Sequence, residues 1–236
     1  MVSWKPSAAR VRRRARARTG KMVAPALVCA SALWLLALPS GPATSADPVV
    51  VLCLGDSLTE GFGVAPEYSF PERLEGRLRE SGHPNARVVN AGISGSTSAS
   101  GLSRLRWQLR AKPAVLVLAL GANDGLRGID LASTRKNLSE TIALAKAKGV
   151  AVLLAGMKIP PNYGLRYSGD FEALFPALAR EHEVALIPFL LDGVAARPEL
   201  NLPDGVHPNS VGYERVTANV LEHLLPLLRV PEAQAP

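Results

Sequence analysis

The stretch VVVLCLGDSLTEGFG, Val49 to Gly63, decides the fold. Six apolar residues run unbroken and then stop at Gly55-Asp56-Ser57. A strand with one wet face alternates apolar and polar residues. An unbroken run is buried on both faces, as in a parallel sheet covered by helices. The stop has two readings. Gly, Asp and Ser are what any turn or helix cap recruits. Alternatively, Ser57 is a nucleophile held at the end of a rigid strand. The tripeptide alone favours the turn, and only the rest of the chain can decide between the two.

Outward from this stretch, apolar runs alternate with amphipathic segments. ARVVNAG, PAVLVLALG, VAVLLAG and VALIPF are four further strands. Between them, SFPERLEGRLRESG places Phe70, Leu74 and Leu78 at helical spacing with Gly82 as a stop, and SASGLSRLRWQLRAK aligns Leu102, Leu105 and Leu109. DLASTRKNLSETIALAKAKG, GDFEALFPALAREH and PNSVGYERVTANVLEHLLPLL complete the helices. The pattern predicts one α/β domain over about residues 48–229: a doubly wound parallel sheet of about five strands with helices on both faces. In such sheets the ligand site forms beyond the carboxyl ends of the strands.

The chain has 236 residues, enough for one domain with a sizeable core. Its net charge of +7 belongs to one end. Eight of the 27 Lys and Arg residues lie in residues 1–46, which hold no acid; the remaining 19 meet 20 acidic residues, leaving −1. That balance does not mark a nucleic-acid-binding domain, and no nucleic-acid partner is expected. The basic segment leads into an apolar run from Met22 to Leu38 and then GPATSA, the layout of an export signal with cleavage after Ala46. The alternative is an uncleaved anchor, against which stand the run's marginal length and Pro25 within it. Residues 1–46 are therefore read as a signal peptide. The mature protein is expected outside the cytoplasm, periplasmic or secreted, without stable membrane insertion. Cleavage leaves only Cys53, inside an apolar strand and read as an inert buried thiol.

A serine hydroxyl is a weak nucleophile unless a base activates it and a third group orients the base. Of the four histidines, His83 sits in a turn, and His182 and His223 lie on amphipathic helices. His207 lies in LPDGVHPN, three residues after Asp204. That spacing lets the carboxylate reach Nδ1 and leaves Nε2 to face a serine. An isolated Asp-x-x-His is more often a turn before a helix. Acyl transfer also needs donors for an oxyanion. GISGST offers the Gly95 N–H, and LGAND offers the Asn123 amide directly after a buried strand. Asp56 and Asp124 come with no His or Cys at ligand spacing, so no metal or other cofactor is expected.

Gly-Asp-Ser-Leu near the start, Gly95 in the second block, Gly-x-Asn-Asp in the third and Asp-x-x-His near the end resemble the GDSL, or SGNH, hydrolase family. The resemblance covers residues 47–236. NAGISGSTSASGL, LGANDGLRG, IPPNYG and DGVHPN are similar to its bacterial periplasmic subgroup of multifunctional acyl-CoA thioesterases, lysophospholipases and arylesterases. One departure is Ala122, where that subgroup often has Gly. The resemblance implies a flavodoxin-like three-layer domain with Ser57, Asp204 and His207 as the catalytic triad. It implies an oxyanion hole made by the Ser57 and Gly95 N–H groups and the Asn123 side chain. It also implies a small-molecule acyl ester or thioester as substrate, lysophospholipid among them, and a monomer. The loop MKIPPNYGLRYSGDF resembles the subgroup's acyl-pocket loop. A cell-envelope polysaccharide acetylesterase and a catalytically silent envelope-binding module are the alternatives.

Overall fold

In the computed structural model the described residues are 48–228; the export signal expected in residues 1–46 lies outside them. Strand β1, Val49–Gly55, is followed by the one-turn helix α1, Ser57–Glu60, and by α2, Phe70–Glu80. Strand β2, Ala86–Gly92, leads through a 3-10 turn into α3, Gly101–Gln108. Strand β3, Val115–Ala119, leads into the short α4, Ala122–Leu126, and the long α5, Leu131–Ala147. Strand β4, Ala151–Ala155, helix α6, Leu165–His182, strand β5, Ala185–Ile187, and helix α7, Ser210–Leu228, complete the order.

The five strands form one parallel sheet in the order β2-β1-β3-β4-β5. Val51 to Leu54 and Val115 to Ala119 are almost wholly inaccessible, as unbroken apolar runs in a doubly covered sheet require. Helix α2 packs with α7, while α5 packs with α3 and with α6, giving the two outer layers. Connections from β1 and β3 leave toward different layers. The chain thus makes a switch point between neighbouring strands, where such sheets open a crevice at their carboxyl ends. Ser57 follows β1 and Asn123 follows β3, so both stand at that opening.

Three features differ from the sequence reading. The helix expected over SASGLSRLRWQLRAK is an α-helix of eight residues with a 3-10 turn at each end. Leu105 is its buried leucine, while Leu102 and Leu109 are only partly covered. Helix α6 begins at Leu165, earlier than its apolar pattern, because its first turn is held by polar contacts. There the Ser168 amide donates to Gly164 O, Ser168 Oγ to Pro160 O, and Tyr167 Oη to Ile129 O. Helices α1 and α4 are too short to show an apolar period and were legible only as turns. Cys53 is fully buried, and burial pushes its thiol far above the usual range.

Candidate active site

Asp56 caps α1, its Oδ1 accepting the Leu58 amide at 3.0 Å. The cap turns the chain sharply at the end of β1 and leaves Ser57 on the first helical position, only partly covered. Gly55 and Gly92 let the strand ends lie against α1: a Cβ on Gly92 would stand 2.1 Å from the Glu60 backbone nitrogen. Arg104 from α3 donates to the carbonyls of Gly55 and Ala91, fastening the ends of β1 and β2. The position of Ser57 is thus fixed by backbone packing on one side and a guanidinium on the other.

His207 arrives from the far end of the chain. Its Nε2 lies 2.9 Å from Ser57 Oγ, and its Nδ1 lies 2.8 Å from Asp204 Oδ2. The other Asp204 oxygen accepts the amides of Val206 and His207, each at 2.9 Å. One carboxylate therefore folds the loop and holds the ring. Gly205, at φ +69°, permits the tight return. The loop is pinned at both ends: Leu202 N donates to His207 O at 2.8 Å, and Asn209 Oδ1 accepts from the first turn of α7. Burial raises the Asp204 carboxyl, but the His207 and Val206 amides and the ring outweigh it and hold it down to about 2.

Asn123 lies on α4, and its Nδ2 donates to Ser96 O at 3.0 Å with Asp56 Oδ2 at 3.4 Å. The neighbouring Asp124 is buried and anchors α4. It accepts from the Ser98 amide and hydroxyl and from Thr134 Oγ1, at 2.8, 2.5 and 3.2 Å. Ser57, Gly95, Asn123 and His207 share one cavity of about 250 Å³. Leu58, Phe62, Leu126 and Val206 supply its apolar wall. The loop expected to form an acyl pocket does not line this cavity; its Ile159 packs with Phe171 behind α4, against Gly125.

The structure thus brings together every residue singled out by sequence. A second Ser–His contact, Ser139 with His182 Nε2 at 2.7 Å, shows what proximity alone provides. There Glu181 approaches the same ring nitrogen at 3.8 Å, and among the described residues no carboxylate pairs with Nδ1 on the far side. His223 likewise spends Nδ1 on the Asn219 carbonyl of its own helix. Among the described residues no cluster of three or more His, Cys, Asp or Glu is placed to hold a metal.

The surroundings of Phe62 and Asp56 were not legible in the sequence. Phe62 packs against the His207 ring with centroids 4.7 Å apart and the planes tilted by 43°, and nothing local marks an aromatic between two glycines for that role. Asp56 read as an ordinary cap residue. Its carboxyl is fully buried, and burial pushes it up to about 6 despite bonds from Leu58 and Asn123. The apolar run before it was the available signal, because a residue between β1 and α1 has little access to water.

Residues 53–215 match the GDSL-like lipase/acylhydrolase family model. Esterase TesA of Pseudomonas aeruginosa is 42% identical over 75% of this chain and 89% of its own. Thioesterase 1/protease 1/lysophospholipase L1 of Escherichia coli is 35% identical over 79% of this chain and 87% of its own. A crystal structure of TesA superposes with a TM-score of 0.73 at 42% identity, covering 76% of this chain and 99% of the other. The chain belongs to the GDSL-like lipase/acylhydrolase family.

Proposed function

We propose that this ester and thioester hydrolase works through an acyl-enzyme on Ser57, with His207 as base and Asp204 as its orienting partner. The observation that carries the reading is the unbroken line Ser57 Oγ, His207 Nε2, His207 Nδ1, Asp204 Oδ2, with steps of 2.9 and 2.8 Å at the edge of an apolar cavity. His207 takes the Ser57 proton as Oγ attacks the acyl carbonyl. The carbonyl oxygen becomes an oxyanion, met by the Ser57 and Gly95 amides and the Asn123 side chain. Collapse breaks the bond to the alcohol or thiol, which leaves with the proton from His207. Water then attacks the acyl-enzyme, giving its proton to His207, and the acid is released as Ser57 regains its hydrogen.

Acyl chains suit the wall of Leu58, Phe62, Leu126 and Val206. The Escherichia coli relative's name includes lysophospholipase, and lysophospholipid is the proposed physiological class. The proposed site is complete within one chain, and a monomer is the proposed functional form. Residues 1–46 act as the export signal, placing residues 47–236 in the periplasm or outside the cell. Among the described residues no helix is long and apolar enough to cross a membrane.

The test is a hydrolysis panel of p-nitrophenyl esters from acetyl to palmitoyl, a lysophospholipid and an acyl-CoA. It is run on the parent and on Ser57→Ala, with a fluorophosphonate label mapped by mass spectrometry. Labelling at Ser57 and loss of all hydrolysis in the variant are expected. Hydrolysis surviving in Ser57→Ala would remove the mechanism. Preference for acetyl esters alone would favour the polysaccharide acetylesterase.

A further inference from the structure

Gly95 sits in an exposed tight turn. The Ser96 amide donates to Ile93 O at 3.2 Å, and Gly95 has φ +76°. Gly95 is the third residue of that turn, the place where a type II turn requires positive φ. Its N–H belongs to the middle peptide, Ser94–Gly95. Types I and II differ by a flip of that peptide of about 180°. The direction of the Gly95 N–H is therefore a property of the turn, and an exposed glycine turn does little by itself to hold one type.

Two charged side chains hold the two peptides that flank this one. Glu60 Oε2 accepts the Ser94 amide at 2.7 Å and also the Ser94 hydroxyl. Arg127 donates to the Gly95 carbonyl at 3.0 Å and reaches Asn123 Oδ1 at 3.5 Å. Their origins matter. Glu60 ends α1, the helix that opens with Ser57, and Arg127 directly follows α4, the helix that carries Asn123. Each side chain thus runs from a helix bearing one oxyanion donor to the turn bearing the third. Arg127 also contacts the Asn123 oxygen while Ser96 O accepts from the Asn123 nitrogen, which fixes the orientation of that amide and polarises it as a donor.

We propose that Glu60 and Arg127 are positioning residues that hold the two peptides flanking Ser94–Gly95, keeping the Gly95 N–H between them in register with the Ser57 amide and the Asn123 side chain. The proposal rests on the oxyanion hole of the proposed acyl-enzyme mechanism. Neither residue touches substrate; they act by holding a donor in place. Misplacing a catalytic group by about 1 Å can cost on the order of a hundredfold in rate. Because both side chains are exposed, their removal is expected to cost little stability.

The experiment measures kcat, KM and Tm for Glu60→Met, Glu60→Gln, Arg127→Met and Ser57→Ala with p-nitrophenyl butyrate. Glu60→Met and Arg127→Met are each expected to lower kcat by about tenfold or more, with KM within about twofold of the parent and Tm unchanged. Glu60→Gln is expected to recover most of the rate, because the Gln oxygen accepts the same two bonds. The two Met variants sit at the ends of different helices, so either one that folds decides. Parent-like kcat in them, with Ser57→Ala inactive, overturns the clamp alone. A loss confined to KM or Tm overturns it equally, as does a Glu60→Gln no better than Glu60→Met. Activity in Ser57→Ala would overturn the underlying oxyanion reading as well.

Discussion

His207 Nε2 stands 2.9 Å from Ser57 Oγ although 150 residues separate them in the chain. Nothing in local sequence brings them together. The sheet order places Ser57 at the carboxyl end of β1, and the Asn209 cap of α7 fixes the loop that carries His207. The pair should therefore act as one unit. Ser57→Ala and His207→Ala are each expected to remove nearly all turnover, and the double variant to be hardly worse than either single one. Steady-state rates on an aryl ester decide it: if the two losses multiply, the residues are not partners.

The buried Asp56 carboxyl gives the protein a stability slope of predictable sign. Its folded value of about 6 lies above the 3.8 expected when exposed. The folded state therefore keeps the proton longer. The corresponding stability is fully present below about pH 4 and is lost as pH rises through 6, by on the order of 3 kcal/mol. Asp56→Asn retains an oxygen for the Leu58 amide and has no charge to desolvate. Urea unfolding should show Asn gaining on the parent between pH 4 and pH 8. An equal difference at both pH values would contradict the burial of a titrating carboxyl. Activity should fall at all pH values, because the new amide sets an N–H against the Asn123 N–H.

How much of this was legible in sequence follows from the range of each signal. Val49 to Leu54 and Val115 to Ala119 announce buried parallel strands because both sheet faces are covered, and composition alone carries that. Ser57, Gly95, Asn123, Asp204 and His207 stood out because each falls in a small polar block of recognisable type. Phe62, Glu60 and Arg127 did not, because their partners are brought in by the sheet: Phe62 meets His207, and Glu60 meets a loop 34 residues away. The first turn of α6 was missed because Leu165 is 81% exposed and leaves no apolar period to read.

Asp204 performs two tasks with two oxygens, and Asp204→Asn separates them. The Asn oxygen is expected to keep the bonds to the Val206 and His207 amides, so the loop should hold. The Asn nitrogen then faces His207 Nδ1, which must become an acceptor. That moves the ring proton to Nε2, where it cannot receive the Ser57 proton. A loss in kcat of at least about a hundredfold is expected, with Tm little changed. Asp204→Ala should lose stability as well, because the loop bonds go too. Equal kcat in Asp204→Asn and the parent would leave Asp204 as a loop residue only.

Two glycine substitutions test whether backbone contact sets the place of Ser57. At Gly92 a new Cβ would stand 2.1 Å from Glu60 N and 2.5 Å from Glu60 Cα, and neither backbone atom can move aside without moving α1. Gly92→Ala should therefore push the helix carrying Ser57 off the end of β2. It should cost about 1–3 kcal/mol or more, as overpacking does, and lower kcat in whatever fraction folds. Gly76 lies within α2, and a Cβ there meets nothing within 4 Å. Gly76→Ala should stabilise the fold by roughly 0.4–1 kcal/mol and leave kcat unchanged, since it only narrows the unfolded ensemble of a helical position. Chemical unfolding and esterase rates on the two variants give the comparison. If Gly92→Ala keeps parent stability and kcat, β2 does not brace α1, and the placement of Ser57 must come from the Asp56 cap, Gly55 and Arg104.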